Sequence, residues 1–275
     1  MLVNKVWAVY FSATGTTRKT VNKIADRIAG ELSLPRDNFD FTLPSERNKP
    51  LSFTASDLVI FGIPVYAGRV PNVLLSYLNS IAGNNALAVA VTLYGNRHYD
   101  DALIELRDLL EKDGFHTIAA ATFIGEHSFS RILAQNRPDE KDMEIAEKFA
   151  LQVAEKVPTL SNVQDLIPIS VAGVPYPYRG YYQPRDRQGN PVDIRKVRPL
   201  TGDDCNDCMI CAELCPMGSI SHENVREYTG ICIKCGSCTK NCPLQARYFE
   251  DAAYIYHKVE LEEGLTRRAE PELFL

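Results

Sequence analysis

Short apolar runs alternate with amphipathic stretches along the first 157 residues. Residues 5–11, 57–63, 87–93 and 117–124 are nearly continuous aliphatic and aromatic runs of strand length, and residues 38–43 form a fainter fifth. Between them, residues 16–30, 71–81, 100–113 and 139–157 space apolar positions three and four apart, as helices do. Five strands alternating with helices predict an α/β fold built on a five-stranded doubly wound parallel sheet, covered on both faces. Residues 70–96 contain no charged side chain, a length that could cross a bilayer. Pro71, Asn72, Asn79, Gly83, Asn84, Asn85 and Gly95 interrupt the run, which splits better into helix, turn and strand.

In such sheets ligands sit beyond the carboxyl ends of the strands. The first strand runs into Ser12, Ala13, Thr14, Gly15, Thr16 and Thr17, immediately before a helix. Hydroxyls and a glycine at a helix N-terminus form a phosphate nest, because free N–H groups and the helix dipole supply positive field without a lysine. The G-x4-G-K-[ST] pattern of nucleotide-triphosphate loops is absent, and no G-x-G-x-x-G links a strand to a helix. Two more strand-end loops face the same side: Pro64, Val65, Tyr66, Ala67, Gly68 and Arg69, then Tyr94, Gly95, Asn96, Arg97, His98 and Tyr99. A fourth, Gly125, Glu126, His127 and Ser128, ends the last strand. Glu126, His127 and His98 are candidates for moving protons there, with turn formation and helix capping as the alternative roles.

Beyond residue 157 the periodicity stops. Residues 174–184 are rich in proline and tyrosine, which predicts a semi-rigid extended linker over 158–200. All eight cysteines follow, in two copies of C-x2-C-x2-C-x3-C-P offset by 27 residues. The first is Cys205, Cys208, Cys211 and Cys215, and the second Cys232, Cys235, Cys238 and Cys242. Soft thiolates at this spacing suit [4Fe–4S] clusters. Structural zinc uses paired knuckles with longer gaps, and disulfides need an oxidising compartment, for which the sequence gives no sign. The N-terminus reads as a strand rather than an export signal, so a cytoplasmic location is expected. Formal net charge is −5, too small to imply a nucleic-acid partner. Its distribution is uneven: residues 171–200 carry six basic and two acidic side chains, and residues 201–275 seven basic and thirteen acidic.

The cysteine region, residues 201–247, resembles the clostridial-type two-cluster ferredoxins, an α+β fold. In these the fourth cysteine of each run ligates the other cluster. The resemblance implies one cluster on Cys205, Cys208, Cys211 and Cys242, and a second on Cys232, Cys235, Cys238 and Cys215. Asp203, Asp204 and Asp207 around the first would lower its potential. Residues 1–157 resemble the flavodoxins, whose S/T-x-T-G-x-T loop holds the phosphate of FMN and whose next two loops grip the flavin ring. This implies Tyr66 and Tyr99 as stacking residues, with Tyr94 an alternate, and Gly68 and Gly95 as points of close approach. Arg69 and Arg97 beside the ring would stabilise the anionic reduced flavin. Together the chain looks like the flavodoxin–ferredoxin fusion proteins of anaerobic bacteria and archaea, with residues 248–275 as a C-terminal extension. The resemblance implies FMN, two [4Fe–4S] clusters and electron transfer between redox partner proteins. The alternatives are an FMN-dependent reductase of a small molecule fed by its own clusters, and a redox or oxygen sensor.

Overall fold

The computed structural model describes residues 3–160 and 166–275. Strands β1 (Lys5–Tyr10), β2 (Arg36–Asp40), β3 (Asp57–Pro64), β4 (Leu87–Tyr94) and β5 (His116–Ile124) pair in parallel at its centre. A further strand, β8 (Glu272–Phe274), comes from the C-terminal extension and pairs antiparallel with β5. The sheet therefore has six strands, in the order β2-β1-β3-β4-β5-β8, one more than the five predicted. The order 2-1-3-4-5 is that of flavodoxin-like sheets, whose switch point falls between β1 and β3.

The two faces carry separate cores, fed by alternate residues of each strand. Leu58 and Ile60 of β3 point to the face covered by α1 (Thr16–Leu32) and α4 (Glu140–Lys156). Val59 and Phe61 point to the face covered by α2 (Leu75–Leu78) and α3 (Ala102–Lys112). Strands β3 and β4 are buried nearly throughout because helices cover both sides. Edge strand β2 is shorter and more exposed, and sits two residues earlier than predicted. The Asp40 carboxylate accepts the Thr42 amide at 2.9 Å and turns the chain out of the sheet. The helix expected over 71–81 reduces to a 3-10 turn at Asn72–Leu74 and one turn of α2. Asn79 and Ser80 side chains donate to the carbonyls of Leu75 and Tyr77, both at 2.6 Å, which competes with helix continuation.

The segment read as a linker is docked on the sheet domain, apart from residues 161–165, which lie outside the described residues. Of its basic strip, Arg179 meets Asp101 just before α3, while Arg187 pairs with Glu260 and Glu263 near the C-terminus. Asp101, fully buried, accepts the amides of Val174 and Arg179 at 2.9 and 2.7 Å and pairs with the Arg179 guanidinium. These bonds, with Arg179 first, hold the Asp101 carboxyl down at about 2 against the opposing effect of burial. Tyr178 donates to Asp108 at 2.8 Å and Tyr181 to the Val70 carbonyl at 2.9 Å.

The cysteine region is a small unit of β6 (Leu200–Thr201) paired with β7 (Arg247–Tyr248) and the short helices α5 (Ile210–Glu213) and α6 (Ser237–Lys240). The C-terminal extension begins with α7 (Ala252–Gly264), with the Asp251 carboxylate capping its first turn. The chain then returns to the sheet. Buried Asn96 donates to the carbonyls of Leu265 and Arg267 at 2.9 and 2.8 Å and accepts the Ala269 amide. Among the described residues no helix is long and apolar enough to cross a membrane.

Candidate cofactor sites

The carboxyl ends of β1, β3, β4 and β5 surround a cleft, where ligands of such sheets sit. Ala13, Thr14, Thr16 and Thr17 form one wall. Gly15 caps α1 with φ of 87°, a conformation glycine adopts freely. No acidic residue lies in the first turn of α1, so the positive end of the helix is not neutralised. Ser12 does not line the cleft. Its hydroxyl accepts the Arg18 amide at 3.0 Å and its own amide donates to Thr42 at 2.8 Å, which shapes the loop around the space. Pro64, Val65, Tyr66, Leu93, Tyr94 and Gly95 form the opposite wall, and Gly125, Glu126, His127 and Ser128 close one end.

Close approach explains two of these glycines. A Cβ on Gly95 would meet His127 Cδ2 at 2.4 Å and its Cα at 2.9 Å, and one on Gly125 would meet Thr16 Oγ1 at 2.9 Å. The residues present fit the FMN implied by the loop sequences: hydroxyls and amides at a helix N-terminus for a phosphate, Tyr66 and Tyr94 for a ring, and glycines where walls converge.

Several expected contacts fall elsewhere. Tyr99 is 2 % exposed, donates to Glu272 at 2.7 Å and packs on Tyr94, so it anchors β8 instead of stacking on a ring. Arg69 is turned away: it makes two 2.7 Å bonds to Glu105 and lies between the rings of Tyr178 and Tyr181. Arg97 pairs with Asp100 and covers Tyr182. Asn96 holds the C-terminal tail, and Ala67 and Gly68 form a left-handed turn beyond the cleft rim. Gly68 is still a point of close approach, but to Asp100, whose carboxylate lies where a Cβ would be. Most of these partners come from α3, the linker and the tail, remote in sequence, although the acid that Arg97 pairs with is only three residues on.

Of the proton-moving trio, Glu126 and His127 line the cleft and His98 does not. His98 is exposed, stacks on Tyr99 and accepts the Asp100 amide at 2.8 Å. The Glu126 carboxylate is held by Lys240 at 2.5 Å. His127 alone contributes its ring to the cleft, with Nδ1 accepting the Phe129 amide at 3.1 Å. Burial first, then the positive charges of Lys240, His257 and Arg97, push its imidazole down to about 3, so the ring is neutral.

The eight cysteines, all free thiols, line two cavities. Cys205, Cys208, Cys211 and Cys242 surround one. Cys215, Cys232, Cys235 and Cys238 surround the other. Each cavity thus takes three cysteines from one run and the fourth from the other. Among the described residues no three His, Cys, Asp or Glu side chains converge tightly enough for a single ion.

The second cavity abuts the strand-end cleft, and Cys235 lines both. Gly236 approaches so closely that a Cβ there would sit 2.6 Å from the Ser128 carbonyl oxygen. Lys240, in the second cysteine run, donates to Glu126, to the His127 carbonyl at 2.7 Å and to the Ser130 carbonyl at 2.9 Å. Arg47 adds a 2.5 Å bond to the Pro216 carbonyl, and Arg131 one of 2.7 Å to that of Thr239. Lys240 is absent from the sequence-derived set. Its signal, one lysine inside a run of cysteines, does not show what it reaches.

Comparison with solved structures finds flavodoxins and flavodoxin-like flavoproteins. A flavodoxin from the domain Archaea matches 56% of this chain and 99% of its own, at 15% identity and a TM-score of 0.41. The Streptococcus pneumonia TIGR4 flavodoxin matches 56% of this chain and 99% of its own, at 21% identity and a TM-score of 0.40. The rubredoxin oxygen:oxidoreductase of the anaerobe Desulfovibrio gigas matches 57% of this chain and 37% of its own, at 20% identity and a TM-score of 0.41. No protein-family model and no curated protein sequence matches the chain.

Proposed function

We propose that this protein is an iron–sulfur flavoprotein that transfers electrons between two [4Fe–4S] clusters and FMN, joining one-electron and two-electron currents of partner proteins. One observation carries the reading: Cys235 lines both a four-thiol cavity and the strand-end cleft. When bound, the clusters would supply single-electron steps and the flavin the choice of one or two. The Thr14–Thr17 turn would bind the FMN phosphate, and Tyr66 and Tyr94 would hold the ring. The Cys235–Gly236 segment would close the cleft against water. The two cysteine sets would hold the clusters, with Cys242 and Cys215 crossing between runs.

The reductase alternative needs a proton donor at the cleft, and none of its candidates combines that place with a free acid group. His98 is outside, Glu126 is tied to Lys240, and His127 is neutral. The deciding experiment is anaerobic purification followed by metal and flavin analysis and a redox titration with optical and EPR detection. The expected content is about eight irons and one FMN per chain. Stoichiometric zinc, about two irons, or a failure to retain FMN would overturn the assignment.

A further inference from the structure

Arg247 in β7 is 4 % exposed, inside the cysteine region. Its guanidinium donates to the Thr201 hydroxyl, to the Val225 carbonyl at 2.7 Å and to the Tyr228 hydroxyl at 2.6 Å. Every one of these acceptors is neutral, and Nε is buried with no partner. No carboxylate pairs with it among the described residues, although the other strongly buried arginine, Arg137, has Asp142. A desolvated guanidinium without an anion is among the costlier things a fold can contain. An arginine cannot shed the cost by losing its proton.

Its position identifies the missing anion. Arg247 lines the cavity of Cys205, Cys208, Cys211 and Cys242. Through Tyr228, whose ring lies 5.3 Å from the guanidinium, it also reaches the wall of the other cavity. Thiolate-ligated metal–sulfur groups in both would be anionic. Reduction adds one electron and no proton to each, which deepens the charge. A fixed cation between them favours the reduced form. We propose that Arg247 is the internal counter-cation of the two cysteine cavities, raising the reduction potential of the group in each. This rests on the iron–sulfur reading above. It offsets the pull of Asp203, Asp204 and Asp207, which are solvent-exposed and therefore screened.

The test is an anaerobic EPR-monitored potentiometric titration, with dithionite as reductant, of the full chain and of Arg247→Met, Arg247→Lys and Arg185→Gln. Arg185 is exposed, lines neither cysteine cavity, bonds to the Gly189 carbonyl and controls for net charge. Iron content is measured on each. The expected result is a negative shift of both cluster potentials in Arg247→Met, with wild-type potentials largely retained in Arg247→Lys and unchanged in Arg185→Gln. Full iron loading of Arg247→Met with unmoved potentials overturns the proposal. If Arg247→Met does not load iron, Arg247→Lys decides. Loading with near-wild-type potentials supports a role for the charge, and failure to load overturns it in favour of guanidinium shape. A wild-type protein that binds no iron defeats the iron–sulfur reading itself, an outcome distinct from loaded variants whose potentials do not move.

Discussion

Replacing Arg137 by methionine should destabilise the sheet domain and loosen both the cleft and the C-terminal tail. Arg137 is 5 % exposed and makes two 2.5 Å bonds to Asp142, which is fully buried. It also donates twice to the Ala269 carbonyl, both at 3.1 Å. Removing one member of a buried pair generally costs about 3–5 kcal/mol, because the other charge stays behind desolvated. Asp142 is not left wholly unpaired, since Arg268 lies 3.5 Å away and the Asp139 amide bonds to it at 2.9 Å. The lower end, about 3 kcal/mol, is therefore expected, a fall in Tm of roughly 6–12 °C for a chain of this size.

The loss should also be local. The Arg137 carbonyl accepts the Glu126 amide at 2.9 Å, and Ala269 leads into β8. Native-state hydrogen exchange should accelerate at Glu126 and at Glu272–Phe274, and FMN affinity should fall. The double variant Arg137→Met/Asp142→Leu should recover most of the stability, less about 1 kcal/mol for the capping box between Asp139 and Asp142. An Arg137→Met protein within about 1 kcal/mol of wild type, or a double variant worse than the single, would refute the reasoning.

Other consequences are equally direct. Gly95→Ala should abolish FMN retention, since the new methyl would collide with His127 backbone as well as its ring; a flavin fluorescence titration reads this, and wild-type affinity would count against the cleft. Burial pushes the Asp113 carboxyl up from 3.8 to about 6. Its neutral form is thus favoured in the folded state: its contribution is full below pH 3.8 and lost as pH rises through about 6. Asp113→Asn should therefore leave Tm unchanged near pH 4 and raise stability above pH 6, by about 1 kcal/mol after solvent screening; a change that does not vary with pH would contradict this. Cys242→Ser should remove one cluster while Cys232, Cys235, Cys238 and Cys215 keep theirs, halving iron to about four per chain. Loss of iron from both cavities, or from the wrong one in EPR, would reject the crossed assignment.

What the sequence reveals depends on range. The strands of the sheet, the hydroxyl-rich turn before α1 and the doubled cysteine spacing are local patterns, readable because period and spacing are set within a few residues. The sixth strand was not legible: residues 272–274 have no strand signature of their own, and they join the sheet because Asn96, Arg137 and Tyr99 hold the tail against β5. The same range effect misdirected Arg69, whose acid lies 36 residues on, and the tyrosine under Arg97, although the acid of Arg97 is local. Both lie in loops beside the cleft, but each finds an acid, Glu105 or Asp100, and tyrosines of the linker. An arginine beside the cleft goes where a carboxylate meets it, and for Arg69 the sequence does not show where that is.

The position of the cysteine region bears on how the cleft can work. In a flavodoxin-like sheet standing alone, the strand-end loops face solvent, and a partner protein could approach whatever they bind. Here Gly236 presses on Ser128, Lys240 ties down the carbonyls of His127 and Ser130, and Arg47 and Arg131 secure the flanks. These contacts join one wall of the cleft to a four-thiol cavity through Cys235. The two cavities also differ in exposure: Cys208 of the first is open to solvent, while Cys235 of the second is turned inward to the cleft. On the proposed reading, an outside protein would meet the chain at the exposed cavity, and the flavin would exchange electrons inward through the second. A partner that docked at the cleft would first have to break the Lys240 bonds. The shared Cys235 wall therefore favours a relay in which the flavin and the second cavity exchange electrons directly, with the exposed first cavity as an outer end.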